Sequence, residues 1–176
     1  MESKPSNPNI ENSAEEIEDP IGTLVPRVLR PPVLGLDLGD RRIGVAVSDG
    51  LGVTAQPVLT LERKNLRLDL RFLSRLVRKY GCGEIVVGNP LYMSGDPSPQ
   101  AGKAGAFAGK LREATGLEVH LWDERLSTGE AHRYLDAVER DPRSRRAVID
   151  QLAAVLILQA YLDARNARAG QSIEPR

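Results

Sequence analysis

The chain has 176 residues, 41% of them hydrophobic and 27% charged, a composition that suits one globular domain able to bury a core. No apolar run approaches membrane-helix length and Cys82 is the single cysteine, so a membrane partner and an intrachain disulfide are excluded and the cytoplasm is the expected compartment. Basic and acidic residues number 24 each, which leaves no whole-molecule field to draw in a polyanion and makes any nucleic-acid contact a matter of local basic patches.

The opening MESKPSNPNIENSAEEIEDP lacks the charged start and apolar run of a secretory signal. Its polarity, followed by Pro26, Pro31 and Pro32, predicts a disordered tail over residues 1–32. The folded body is expected over 33–168, with a flexible tail over 169–176. VLGLDLG and RIGVAVSD read as two strands joined by a tight charged corner, and PVLTLER as a third. Leu66, Leu70, Leu73, Val77 and Tyr80 then recur at helical spacing up to Gly81.

EIVVGNP is a short β-branched run, the pattern of a buried parallel strand. The loop LYMSGDPSPQ leads to a helix ending near Thr115 at Gly116. LEVHLWDE gives another strand, and Ser127 or Thr128 would cap a helix to about Glu139. After the charged loop RDPRSRR, a closing helix is expected from about Ala147 to about Ala167. Hairpin-connected strands first, then parallel strands alternating with helices, describe an α/β domain with a mixed central sheet flanked by helices. That is the order of an RNase H-like fold.

Two acids stand out by phase. Strand alternation sets Asp37 on one face with Gly35 and Gly39, and glycines inside a strand suggest a ligand lying close over the sheet. Asp150 has Ala153, Ala154, Ile157 and Tyr161 as helical neighbours, so its carboxylate is aimed at the core and must find a cation, a metal or a proton. Dipole compensation in a first helical turn would explain that acid's tolerance but not its direction. A third acid comes from the end of LEVHLWDE, where Asp123 and Glu124 face opposite ways and pattern alone does not choose between them.

Dispersed carboxylates without a Cys/His cluster favour Mg²⁺ or Mn²⁺ over Zn²⁺. Two such ions, with substrate bound, can activate water and stabilise the leaving oxygen in phosphodiester hydrolysis. His120 and His132 read as a strand-face and a helix-surface residue, not as members of a nucleophilic triad. Lys64, Arg67, Arg71, Arg75 and Arg78 form a stripe best read as a solvated helix face. Arg140, Arg143, Arg145 and Arg146 crowd the approach to Asp150 and are candidates for the nucleic-acid backbone. Tyr92 and Met93 could clamp or stack on bases, or belong to a plain connection.

Four blocks in order, GLDLGDRRIGVAVSD, VVGNPLYMSG, DERLST and IDQLAAVLILQAYLD, make the chain resemble the YqgF family of pre-16S rRNA nucleases, also described as Holliday-junction-resolvase-like. The resemblance spans about Val33 to Asp163. It implies an RNase H-like fold and divalent-metal phosphodiester cleavage maturing the 5′ end of 16S rRNA, in contact with ribosomal precursors. It places the catalytic and metal-binding acids on Asp37, Glu124 and Asp150, and so selects Glu124 over Asp123. Arg42 and Arg125 match basic positions of the first and third blocks. Tyr92 and Ser94 stand where many relatives carry Asn and Asp, and Asp40 where Thr is common.

Three rival readings follow from the same residues. A resolvase-like endonuclease acting on branched DNA shares the fold and the carboxylates, and would generally need a dimer to cut two strands. An ATPase of the actin and sugar-kinase type also opens with GLDLG and a hairpin, but needs two lobes where this chain has room for one. A non-catalytic RNA-binding assembly module would have no reason to converge three acids against a polyanion.

Overall fold

The computed structural model describes residues 16–18, 24–26, 30–92, 94, 96, 98–124 and 142–171. Within the segment expected as an N-terminal tail, strand β1 (Glu16–Glu18) pairs antiparallel with β2 (Leu24–Pro26) in a separate two-stranded ribbon. The main sheet comprises β3 (Val33–Leu38), β4 (Arg42–Ser48), β5 (Ala55–Glu62), β6 (Glu84–Asn89) and β7 (Glu118–Asp123), in the spatial order β5-β4-β3-β6-β7. The three hairpin-connected strands are antiparallel, whereas β6 and β7 run parallel to β3. That order and polarity give the RNase H-like arrangement expected from the sequence. Pro57 is tolerated because β5 is an edge strand, beside a register shift at Val45/Ala46.

Local chemistry sets the element ends. Helix α1 (Leu66–Tyr80) begins where the Asn65 side chain accepts from the Leu68 amide, and stops at Gly81, whose φ of 63° is left-handed. Helix α2 (Pro99–Thr115) begins behind a Ser98 cap with Pro99 in the first turn, and ends at Gly116. The closing helix α3 spans Pro142–Gln171, starting earlier than the sequence suggested. Pro142 does not break this helix because a first-turn proline gives up an amide that has no partner there anyway. Arg143, Arg145 and Arg146, expected in a loop, therefore lie on its first turns. The helix predicted from Ser127 or Thr128 to Glu139 lies outside the described residues, as do Arg125, His132 and Arg140.

Strand alternation divides the core in two. Leu34, Leu36, Ile43, Val45, Ile85, Val87 and Val119 pack with Leu73, Val77, Phe107 and Leu111 of α1 and α2. On the other face Val33, Ala46 and Val86 meet Ala154, Ile157, Leu158 and Leu162 of α3. The first face is large and aliphatic. The second is thinner, and glycines bring the long helix close to the sheet. No helix among the described residues is long and apolar enough to cross a membrane.

Candidate active site

Asp37 stands near the end of β3, paired across the hairpin with Gly44. It shares the α3 face with Val33 and Gly35, as alternation predicts, but the space above it belongs to a helix. A Cβ on Gly35 would fall 2.6 Å from Leu158 Cβ, and one on Gly44 would fall 1.9 Å from the carbonyl oxygen of Asp150. Gly39 serves the hairpin, where its amide donates to Arg42 O at 2.9 Å. The glycines flanking Asp37 thus admit α3 and a tight corner, correcting the expectation that they clear room for a ligand. Close helix packing desolvates the Asp37 carboxyl, and with the Asp150 charge as the second cause its pKa is pushed up to about 6.

Asp150 points where helical phase put it, on the face of α3 that carries the buried Ala154 and Ile157. Its carboxylate is 23% exposed and accepts a hydrogen bond from Arg42 Nε at 2.5 Å. The cation that an inward acid requires is therefore supplied from β4, two residues before Gly44 on the same sheet face. Arg42 is about as accessible, at 33%.

Glu124 follows directly on β7 and folds back over β6. A Cβ on Gly88 would meet Glu124 Oε1 at 2.4 Å and Ile157 Cδ1 at 2.6 Å. Leu36 pairs with Val87 in the parallel register, so Gly88 continues alongside Asp37, and the Glu124 carboxylate over it is brought toward β3. Burial, the Asp37 charge and the Asp123 charge, in that order, push the Glu124 pKa up to about 7. Gly88 is the site residue that sequence reasoning missed. A glycine interrupting the apolar run EIVVGNP was the signal for it.

The three expected acids are thus gathered on one face of the sheet from three elements, with Asp37 electrostatically coupled to both of the others. They do not form a closed ligand set: among the described residues no three His, Cys, Asp or Glu side chains are disposed to hold one metal ion. Like charges without a cation repel, and Asp150 is engaged by Arg42. The donor chemistry nonetheless fits a hard divalent ion, since every candidate ligand is a carboxylate oxygen and a cation would offset both the burial and the repulsion that raise the Asp37 and Glu124 pKa values.

Other candidates are placed as follows. Arg67, Arg71, Arg75 and Arg78 are exposed on α1, behind the sheet from the acids, as a solvated stripe would be. Tyr92 is 53% exposed beyond β6, while Met93 lies outside the described residues. Asp40, at the hairpin corner, pairs with Lys103 of α2 at 2.6 Å, and that bond and charge hold its carboxyl below the usual range. His120 is a strand-face residue, stacked on Tyr161 with ring centroids 5.6 Å apart.

The family model described as "RuvX: Holliday junction resolvase" matches residues 32–164, which contain the whole main sheet and all three acids. The chain belongs to the RuvX family. A relative from Moorella thermoacetica is 51% identical over 140 residues, covering 80% of this chain and 97% of its own, and one from Syntrophus aciditrophicus is 48% identical over 132 residues, covering 75% and 88%. Both carry the name "Putative pre-16S rRNA nuclease". Among solved structures, T. thermophilus RuvC in complex with a Holliday junction substrate is similar at a TM-score of 0.49 and 15% identity, covering 80% of this chain and 97% of RuvC. The match to this RuvX chain thus takes in most of the length of both relatives.

Proposed function

We propose that this RuvX-family nuclease hydrolyses phosphodiester bonds at a divalent-metal centre formed by Asp37, Glu124 and Asp150, and that its substrate is the 5′ end of pre-16S rRNA. The observation that carries the metal centre is the gathering of three carboxylates from β3, the end of β7 and α3 on one sheet face. Such a cluster faces a polyanionic substrate productively only with cations between them. When bound, Mg²⁺ or Mn²⁺, as two ions with substrate present, would supply activation of water and neutralisation of the leaving oxygen. The chain's own part is to hold three oxygen donors together on one face of the sheet, from β3, the end of β7 and α3.

The rRNA reading is supported by the relatives' name and by the near-complete coverage of their length. It sets the protein in the cytoplasm, acting on ribosomal precursors. Arg42, Arg125, Arg143, Arg145 and Arg146 are the cations proposed to meet the nucleic-acid backbone. The test is Mn²⁺-dependent cleavage of a 16S 5′-leader RNA, single-stranded DNA and a four-way DNA junction, by wild type and by Asp37→Asn, Glu124→Gln and Asp150→Asn. Leader cleavage lost in all three variants is expected. Equal cutting by wild type and Asp37→Asn would refute the centre, and cutting of the junction in preference to the leader would replace RNA with branched DNA as the substrate.

A further inference from the structure

Arg42 and Asp150 are separated by 108 residues in sequence, yet Nε and Oδ2 lie 2.5 Å apart. The contact is built by the close packing of α3 on β4. Arg42 and Gly44 are alternate residues of one strand and share a face, and a Cβ on Gly44 would fall 1.9 Å from Asp150 O. The helix is thereby pinned to this strand at Asp150, and the arginine two residues before the glycine reaches the carboxylate. A carboxylate paired in this way presents fewer lone pairs to a metal. A guanidinium released from it is a planar donor suited to a phosphate.

We infer that Arg42 is a positioning residue that stands in for a cation at Asp150 when the site is metal-free and turns to a substrate phosphate when Asp150 ligates a metal. This rests on the metal centre proposed above. Arg42 then has two competing partners, one inside the protein and one on the substrate. Divalent-ion binding and nucleic-acid binding are coupled through it, and by linkage each strengthens the other.

The expected signs are unusual for the loss of a structural contact. In calorimetric titrations of the full chain with Mn²⁺ alone, Arg42→Ala and Arg42→Gln should both bind the ion about 3- to 10-fold more tightly than wild type, because a partly buried charged competitor is gone. A variant that merely loosened the site would bind more weakly, and matching circular dichroism of the uncharged but polar Gln variant guards against misfolding. Fluorescence anisotropy with a phosphorothioate RNA oligonucleotide should show Mn²⁺ tightening wild-type binding more than it tightens binding by either Arg42 variant.

Unchanged or weakened Mn²⁺ affinity in both variants, with Asp150→Asn still weakening it, would overturn the role of Arg42 and leave the centre standing. An equal gain in RNA affinity from Mn²⁺ in wild type and variants would overturn its turn to phosphate. Mn²⁺ affinity insensitive to both Asp37→Asn and Asp150→Asn would instead bring down the centre itself, and this inference with it.

Discussion

The α3 face of the sheet carries acids at both of its ends, and the two ends treat them in opposite ways. At the start of β6, Glu84 is held by Arg165 Nη1, by the Tyr161 hydroxyl at 3.0 Å and by His120 Nε2 at 3.4 Å. Aromatic contacts brace the group, with His120 stacked on Tyr161 and Trp122 edge-on to it. Four residues further along β6, roughly 13 Å away, Asp37 and Glu124 are half-buried beside other carboxylates, and desolvation followed by those charges pushes their pKa values up to about 6 and about 7. One helix and one sheet therefore build a balanced ion cluster and an unbalanced one. A balanced cluster explains itself as structure, whereas acids buried toward acids cost stability and call for a ligand that removes the cost.

Removing the acid at the centre of the unbalanced end should have the largest effect. Asp37→Asn should lower Mn²⁺-dependent RNA cleavage by at least about 10²–10³-fold, the scale on which a preorganised electrostatic group matters, while making the metal-free protein more stable. Asp37 is ionised in the unfolded chain above about 3.8 but in the fold only above about 6. Its favourable contribution is thus complete below pH 3.8 and lost as pH rises to 6. With chelator present, this group should cost wild type about 2–3 kcal/mol across that window, and Asp37→Asn should not show the loss. Urea unfolding at pH 4 and pH 7 checks both, and a variant no more stable than wild type at pH 7 would mean that the site is not strained by its charges.

How far this contrast was legible in the sequence depends on what each residue's pattern can encode. Asp150 was readable because a 3.6-residue period fixes direction, and the helix does bury Ala154 and Ile157 beside it. The same logic set Asp37 on the face opposite Leu34 and Leu36. Strand phase could not choose between Asp123 and Glu124, because the chain leaves β7 at Asp123 and the swing of Glu124 back over Gly88 is a tertiary event. At the glycines beside Asp37 the sequence shows that something approaches a backbone, not whether it is a ligand or, as at Gly35 and Gly44, a helix. The pairing of Arg42 with Asp150 and of Glu84 with Arg165 joins distant segments, and no local period carries such information.

The balanced end offers the complementary test, with a smaller effect of a different kind. Glu84→Gln leaves Arg165 without its carboxylate in a setting where both side chains are only about a fifth exposed, 22% and 20%. A loss of about 1–3 kcal/mol is expected, between the values for exposed and fully buried pairs. Cleavage by the folded variant should stay within a factor of two or so of wild type. A large fall in turnover at unchanged stability would show that the two ends are coupled through α3 and that structure and chemistry are not divided between them.

The smallest change separates hydrogen bonding from charge within the balanced end. Tyr161 donates to Glu84 Oε2, and burial, followed by the Glu84 charge, pushes its hydroxyl pKa up to about 12. It stays protonated, and a donor, at any working pH. Tyr161→Phe deletes that donor while keeping the ring that His120 and Trp122 pack against. About 1 kcal/mol should be lost, the usual net worth of one hydrogen bond. Because the bond has Glu84 as its acceptor, the double variant with Glu84→Gln should be less destabilised than the two single losses added, by about 0.5 kcal/mol or more. Strict additivity in urea unfolding would mean that the hydroxyl and the carboxylate act separately, and that the cluster balances its charge through Arg165 without help from the tyrosine.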